Sequence, residues 1–69
     1  MKISYKPLFQ QLLKRNMGKK DLLRTANLST TTLSKLGKNE PVKLDMLMKI
    51  CKALHCRIED VVEFVEDEK

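Results

Sequence analysis

The sequence predicts an all-α fold of five short helices, and three observations carry that prediction. Apolar residues recur at helical spacing, as in Tyr5, Leu8, Phe9, Leu12 and Leu13. No run alternates apolar and polar residues with period two for long enough to make a sheet. Residues that favour helix caps and turns stand between the apolar stripes.

Ser4 is placed to cap the first helix, with Pro7 in its first turn, where a missing N–H costs nothing, and the helix should run to about Asn16. MKIS ahead of it is either an ordered arm or frayed. Gly18 opens a second helix over Lys19 to Ala26, with Leu22, Leu23 and Ala26 apolar. Asn27 ends it, because Asn tolerates the left-handed backbone conformation better than most residues. Ser29 caps a third helix from Thr30 to Leu36, and Gly37 supplies its stop. After a loop to Val42, a fourth helix over Leu44 to Leu54 sets Leu44, Leu47, Met48, Cys51 and Leu54 on one face. A fifth begins near Ile58 with the stripe Ile58, Val61, Val62 and Val65. Residues 66–69 (EDEK) are too polar to pack and should fray. There is no internal repeat and no linker, so residues 1–69 read as a single domain.

Size and charge narrow the function. A chain of 69 residues buries only about 60% of its unfolded surface, which leaves little room for a deep catalytic pocket. No apolar run approaches the length of a membrane span, and MKISYKP lacks the apolar core of a signal peptide, which points to the cytoplasm. Residues 1–57 hold 13 Lys and Arg against Asp21, Glu40 and Asp45, for +10, whereas residues 58–69 hold six acids against Lys69, for −5. So basic a body fits a polyanion: nucleic acid or an anionic membrane. No helix joins a basic face to a large aromatic apolar one, which makes the membrane the weaker choice. The acidic end reads most simply as a solvated face; repelling DNA or touching a protein such as polymerase is the functional alternative.

The informative element is the third helix. At about 100° per residue, Leu33 and Leu36 point one way, and Thr30, Thr31, Ser34, Lys35 and Lys38 fall on the opposite side without a carboxylate among them. Such side chains can meet the acceptors, donors and methyl groups of the DNA major groove. Taken alone, the same face also reads as ordinary solvated surface. A short helix, a tight turn without proline and a capped second helix with inward leucines together form a helix-turn-helix, at about 19–36.

The run KKDLLRTANLSTTTLSKLGKNE, followed by LDMLMKICKALHCRIEDVVE, resembles the XRE, or phage Cro and repressor, family of five-helix, lambda-repressor-like DNA-binding domains, over about Tyr5 to Val65. In that resemblance Leu22, Ala26, Leu28, Leu33 and Leu36 are the packing set, and Asn27 stands where the family usually has Gly. Leu23 takes a position often held by Ala, and Lys43 replaces a small hydroxyl cap. The resemblance implies base reading by Thr30, Thr31 and Lys35, with Ser34 as a fourth, and phosphate contacts from Lys19, Ser29, Lys38, Asn39 and Lys43. Lys20 and Arg24 read as solvated helix charges.

Met46, Ile50 and Phe64 lie beside the apolar stripes and are either core breadth or a homodimer interface. Cys51, His55 and Cys56 lie close in sequence, but structural zinc wants four ligands and Cys51 sits within an apolar stripe, so no metal is expected. Two cysteines so close together staple nothing and should be reduced thiols. With one His, no nucleophile–base pair and no Gly-rich loop, no catalytic residue, cofactor or small-molecule ligand is expected either. The resulting expectation is a bacterial or mobile-element transcriptional regulator, most simply a repressor, that binds double-stranded DNA as a homodimer. The rival is an antitoxin-like protein-binding module on the same scaffold.

Overall fold

A computed structural model of the chain describes residues 1–66. Four helices pack around one core, α1 (Lys6–Lys14), α2 (Lys19–Ala26), α3 (Thr30–Gly37) and α4 (Leu44–Leu54), and a two-stranded antiparallel sheet joins β1 (Lys2–Ser4) to β2 (Glu63–Val65). The register pairs Lys2 with Val65, Ile3 with Phe64 and Ser4 with Glu63. The core comprises Tyr5, Leu8, Leu12, Leu22, Ala26, Leu28, Leu36, Leu47, Ile50, Leu54 and Val61.

The fifth helix is absent among the described residues. Where it was expected, one 3-10 turn (Ile58–Asp60) is followed by strand β2. Asp60 Oδ2 accepts from the Arg57 N–H at 3.2 Å and so closes the turn locally. The β-branched Val61, Val62 and Val65 lower helix propensity and favour an extended chain once a partner strand is available. That partner is the KIS segment, so the N-terminal arm is ordered. The expected fraying falls, apart from the exposed Glu66, on residues outside those described.

Other boundaries shift for local reasons. α1 begins at Lys6 with Tyr5 as its N-cap, and Ser4 Oγ accepts from the Lys6 N–H at 3.2 Å, satisfying a free donor of the first turn from outside the helix. The helix ends at Lys14. Gly37 is not the stop of the third helix: it is the last residue of α3 and has no positive φ, while Lys38 caps the helix and Asn39 takes the left-handed conformation.

Asn39 belongs to a rule that all four helices obey. Each ends with one residue in the left-handed region, Asn16, Asn27, Asn39 and His55, with φ between 53° and 58°. In each case the following residue donates its N–H five positions back: Met17 to Leu12, Leu28 to Leu23, Glu40 to Lys35 and Cys56 to Cys51, at 2.9 to 3.0 Å. This is the Schellman closure, achieved without glycine.

Four apolar assignments change: Leu13 is exposed on α1, Leu44 and Met48 on α4, and Ile58 on the 3-10 turn. Ile50 is fully buried in the monomer core and is therefore not a surface contact for a second subunit.

Candidate nucleic-acid interface

The two-helix unit is fixed at each joint by its own backbone and caps. Asp21 Oδ2 accepts from the Gly18 N–H at 2.9 Å and starts α2. Asn27, at φ 56° and ψ 51°, turns the chain out of α2. Ser29 is extended, and its Oγ accepts from the Thr32 N–H at 3.2 Å, capping α3. Leu22, Ala26, Leu28 and Leu36 are buried beneath the unit. Because these groups satisfy the helix ends internally, α3 is presented as a rigid element.

The sequence of α3 then sorts its side chains. Thr32 and Leu33 are half-buried, and the Thr32 hydroxyl lies 3.1 Å from Ser29 Oγ, within the cap. Thr30, Thr31, Ser34 and Lys35 are exposed. Their hydroxyl and ammonium groups share one face that carries no carboxylate.

The expected phosphate anchors lie around this face in different settings. Lys19 is the first residue of α2, and its Nζ stands 5.7 Å from the centroid of the Phe9 ring, a cation–π contact that steadies a long side chain. Ser29 sits at the N-terminus of α3, and Lys38 at its C-terminal cap. Asn39 is exposed, but its Oδ1 accepts from the Tyr5 N–H at 2.9 Å, so that oxygen is already engaged. Lys43 caps α4 through its backbone alone.

A groove of about 330 Å³ runs between α3 and α4, with Ser29, Thr32 and Lys35 on one wall and Lys43, Met46 and Lys49 on the other. Three lysines therefore converge with no acid among the lining residues. Lys49 is the cation that reading the sequence missed. Its signal was available: Lys43, Met46 and Lys49 recur every three residues and share a face of α4. Met46, one of the expected interface residues, is half-buried in this groove. Phe64 is 70% exposed on β2.

Cys51 and Cys56 flank the left-handed turn at the end of α4, and burial pushes both thiols above their ordinary range. Among the described residues no three or more His, Cys, Asp or Glu side chains cluster closely enough to hold a metal ion. No helix of the described chain is long and apolar enough to cross a membrane.

Comparison with known proteins agrees with this geometry. The Cro/C1-type HTH DNA-binding domain matches residues 8–67. The crystal structure of the transcriptional regulator VanUg is similar over 96% of this chain and 88% of that one, with 38% identity and a TM-score of 0.91. No curated protein matches significantly. With the family's domain spanning nearly the whole chain, and the turn, cap and exposed polar face of α3 in place, the protein belongs to the Cro/C1-type helix-turn-helix DNA-binding family, whose members regulate transcription.

Proposed function

We propose that the protein is a sequence-specific transcriptional repressor that inserts α3 into the major groove, reads bases with Thr30, Thr31, Ser34 and Lys35, and occupies promoter DNA in the cytoplasm as a homodimer. The observation that carries this reading is the exposed, acid-free face of α3, held by the Asn27 turn and the Ser29 cap. Lys19, Ser29, Lys38, Asn39 and Lys43 contact phosphates and set the register, with the free amide of Asn39 as its contact. Repression follows from steric occlusion of polymerase by the bound domain.

The test is fluorescence anisotropy with duplex from upstream of the protein's own gene and with a scrambled duplex, each at two salt concentrations. The native duplex should bind tighter by about a thousandfold or more. Thr30→Ala with Lys35→Ala should abolish that preference while the fold persists. Equal, salt-sensitive binding to both duplexes sinks the sequence-specific reading. Capture of a protein partner that survives the double substitution favours the protein-binding module instead.

A further inference from the structure

Of the six large apolar side chains exposed among the described residues, three line one groove: Leu44 and Met48 of α4, 70% and 67% exposed, and Ile58 of the 3-10 turn, 42% exposed. The groove encloses about 580 Å³, and Cys51 completes its apolar floor. Contiguous exposed apolar surface of this kind marks an interaction site, unlike the scattered Leu13 and Phe64. The apolar floor of the groove turns away from the nucleic-acid face, and Lys49 lines both grooves. At about 100° per residue, Leu44, Met48 and Cys51 lie on the order of 160° around α4 from Met46 and Lys49, whose groove faces α3.

Its rim is charged in a particular way. Asp45 stands in the first turn of α4 and Lys52 in its last, and both line the groove, with Lys49 between them at its edge toward α3. Seven positions apart, they lie within about 20° of each other on one flank of the helix. Neither has an ion partner within 4.0 Å among the described residues. A flank that is acidic at one end and basic at the other is complementary to itself when the helix is reversed.

We propose that this groove is covered by a second copy of the chain, with the two α4 helices antiparallel across a two-fold axis at Met48–Lys49. The axis stacks Met48 on Met48 and brings each Asp45 beside the Lys52 of the other copy. An isologous contact requires such self-complementarity, and antiparallel helix dipoles support it. The pairing leaves both α3 faces uncovered, as two half-sites on duplex DNA require. It rests on the reading of the protein as a paired DNA-binding regulator, and it replaces Met46, Ile50 and Phe64 with Leu44, Met48 and Ile58 as the seam.

The test is sedimentation equilibrium of the full chain over a wide concentration range, with thermal melts to check that each variant folds. The wild type should dimerise. Met48→Lys, or Leu44→Lys should Met48→Lys fail to fold, should weaken the dimer by on the order of a hundredfold, because each interface then buries two unpaired ammonium groups. Asp45→Lys and Lys52→Asp should each weaken it by about tenfold, turning two rim attractions into repulsions. Combining them should restore it. A wild type that stays monomeric, a dimer indifferent to Met48→Lys, or a double charge swap as weak as the singles overturns the proposal. The anisotropy titration separates the two readings. A monomer that still prefers the native duplex sinks only the pairing, and a dimer without preference sinks only the sequence-specific reading.

Discussion

The backbone N–H of Tyr5 donates to Asn39 Oδ1 at 2.9 Å across 34 positions of the chain, and the Tyr5 hydroxyl donates to the Glu40 carbonyl at 2.7 Å. Tyr5 is the N-cap of α1 and is buried, while Asn39 is the left-handed residue that closes α3. One residue thus bolts the start of the domain to the loop leaving α3.

Asn39→Ala removes that acceptor and places a Cβ-bearing residue without Asn's tolerance in the left-handed region. It should cost about 2 kcal/mol, combining an orphaned part-buried N–H with backbone strain. Tyr5→Phe should cost about 1 kcal/mol. Urea denaturation of each variant checks both values, and a loss for Asn39→Ala no larger than for Tyr5→Phe contradicts the account.

Gly37→Ala should stabilise the protein. Gly37 lies inside α3 with no positive φ, and nothing stands within 4 Å of where its Cβ would be. Alanine in an open helical position gains about 0.5 to 1 kcal/mol by restricting the unfolded chain. A rise in melting temperature is the readout; a fall would mean that this end of α3 needs a conformation alanine resists.

The salt dependence of DNA binding should register Lys49. Lys43→Ala and Lys49→Ala should each reduce the log–log salt slope by about one phosphate's worth, near 0.9, and weaken native and scrambled duplexes alike. If Lys49→Ala leaves the slope untouched while Lys43→Ala lowers it, the wall formed by α4 does not reach the backbone.

Alkaline pH should destabilise the fold. Burial holds the Tyr5 phenol and the Cys51 and Cys56 thiols above their ordinary values, 10.0 and 9.0, so the native state prefers their neutral forms. Their contribution is fully present below pH 9.0 and is lost as pH rises through the folded values. The urea midpoint should therefore fall from neutral pH into this range, and Cys51→Ala with Cys56→Ala should delay the fall until Tyr5 ionises. A midpoint flat across that range contradicts the burial argument.

What was legible in the sequence was whatever local chemistry decides. Ser29 reads as a cap and Asn27 as a turn from their side chains alone, Leu22, Ala26 and Leu36 fall inward by helical spacing, and the family resemblance adds Leu28, so the helix-turn-helix and the exposed side of α3 were readable residue by residue. The illegible parts depend on distant partners. Glu63–Val65 is too short for periodicity to separate a strand from a helix, and its pairing is decided by Lys2–Ser4 at the other end of the chain. Without a fifth helix, Leu44 and Met48 lose their expected cover, while Ile50, assigned by its position beside the stripe, turns out to face the centre. The family resemblance offers Asn39 only as a phosphate contact, and its role as acceptor for the Tyr5 N–H depends on a residue 34 positions away.

The β1–β2 pairing also has an architectural consequence. Because residue 2 is hydrogen-bonded beside residue 65, anything fused before the first strand and anything fused after the second must depart from one small corner of the molecule. Tags or tethered domains on either terminus will therefore crowd each other. The same closure makes the domain close to a ring, so a circular permutant with joined ends and a new opening at the exposed Pro41, between α3 and α4, should keep its helices in place.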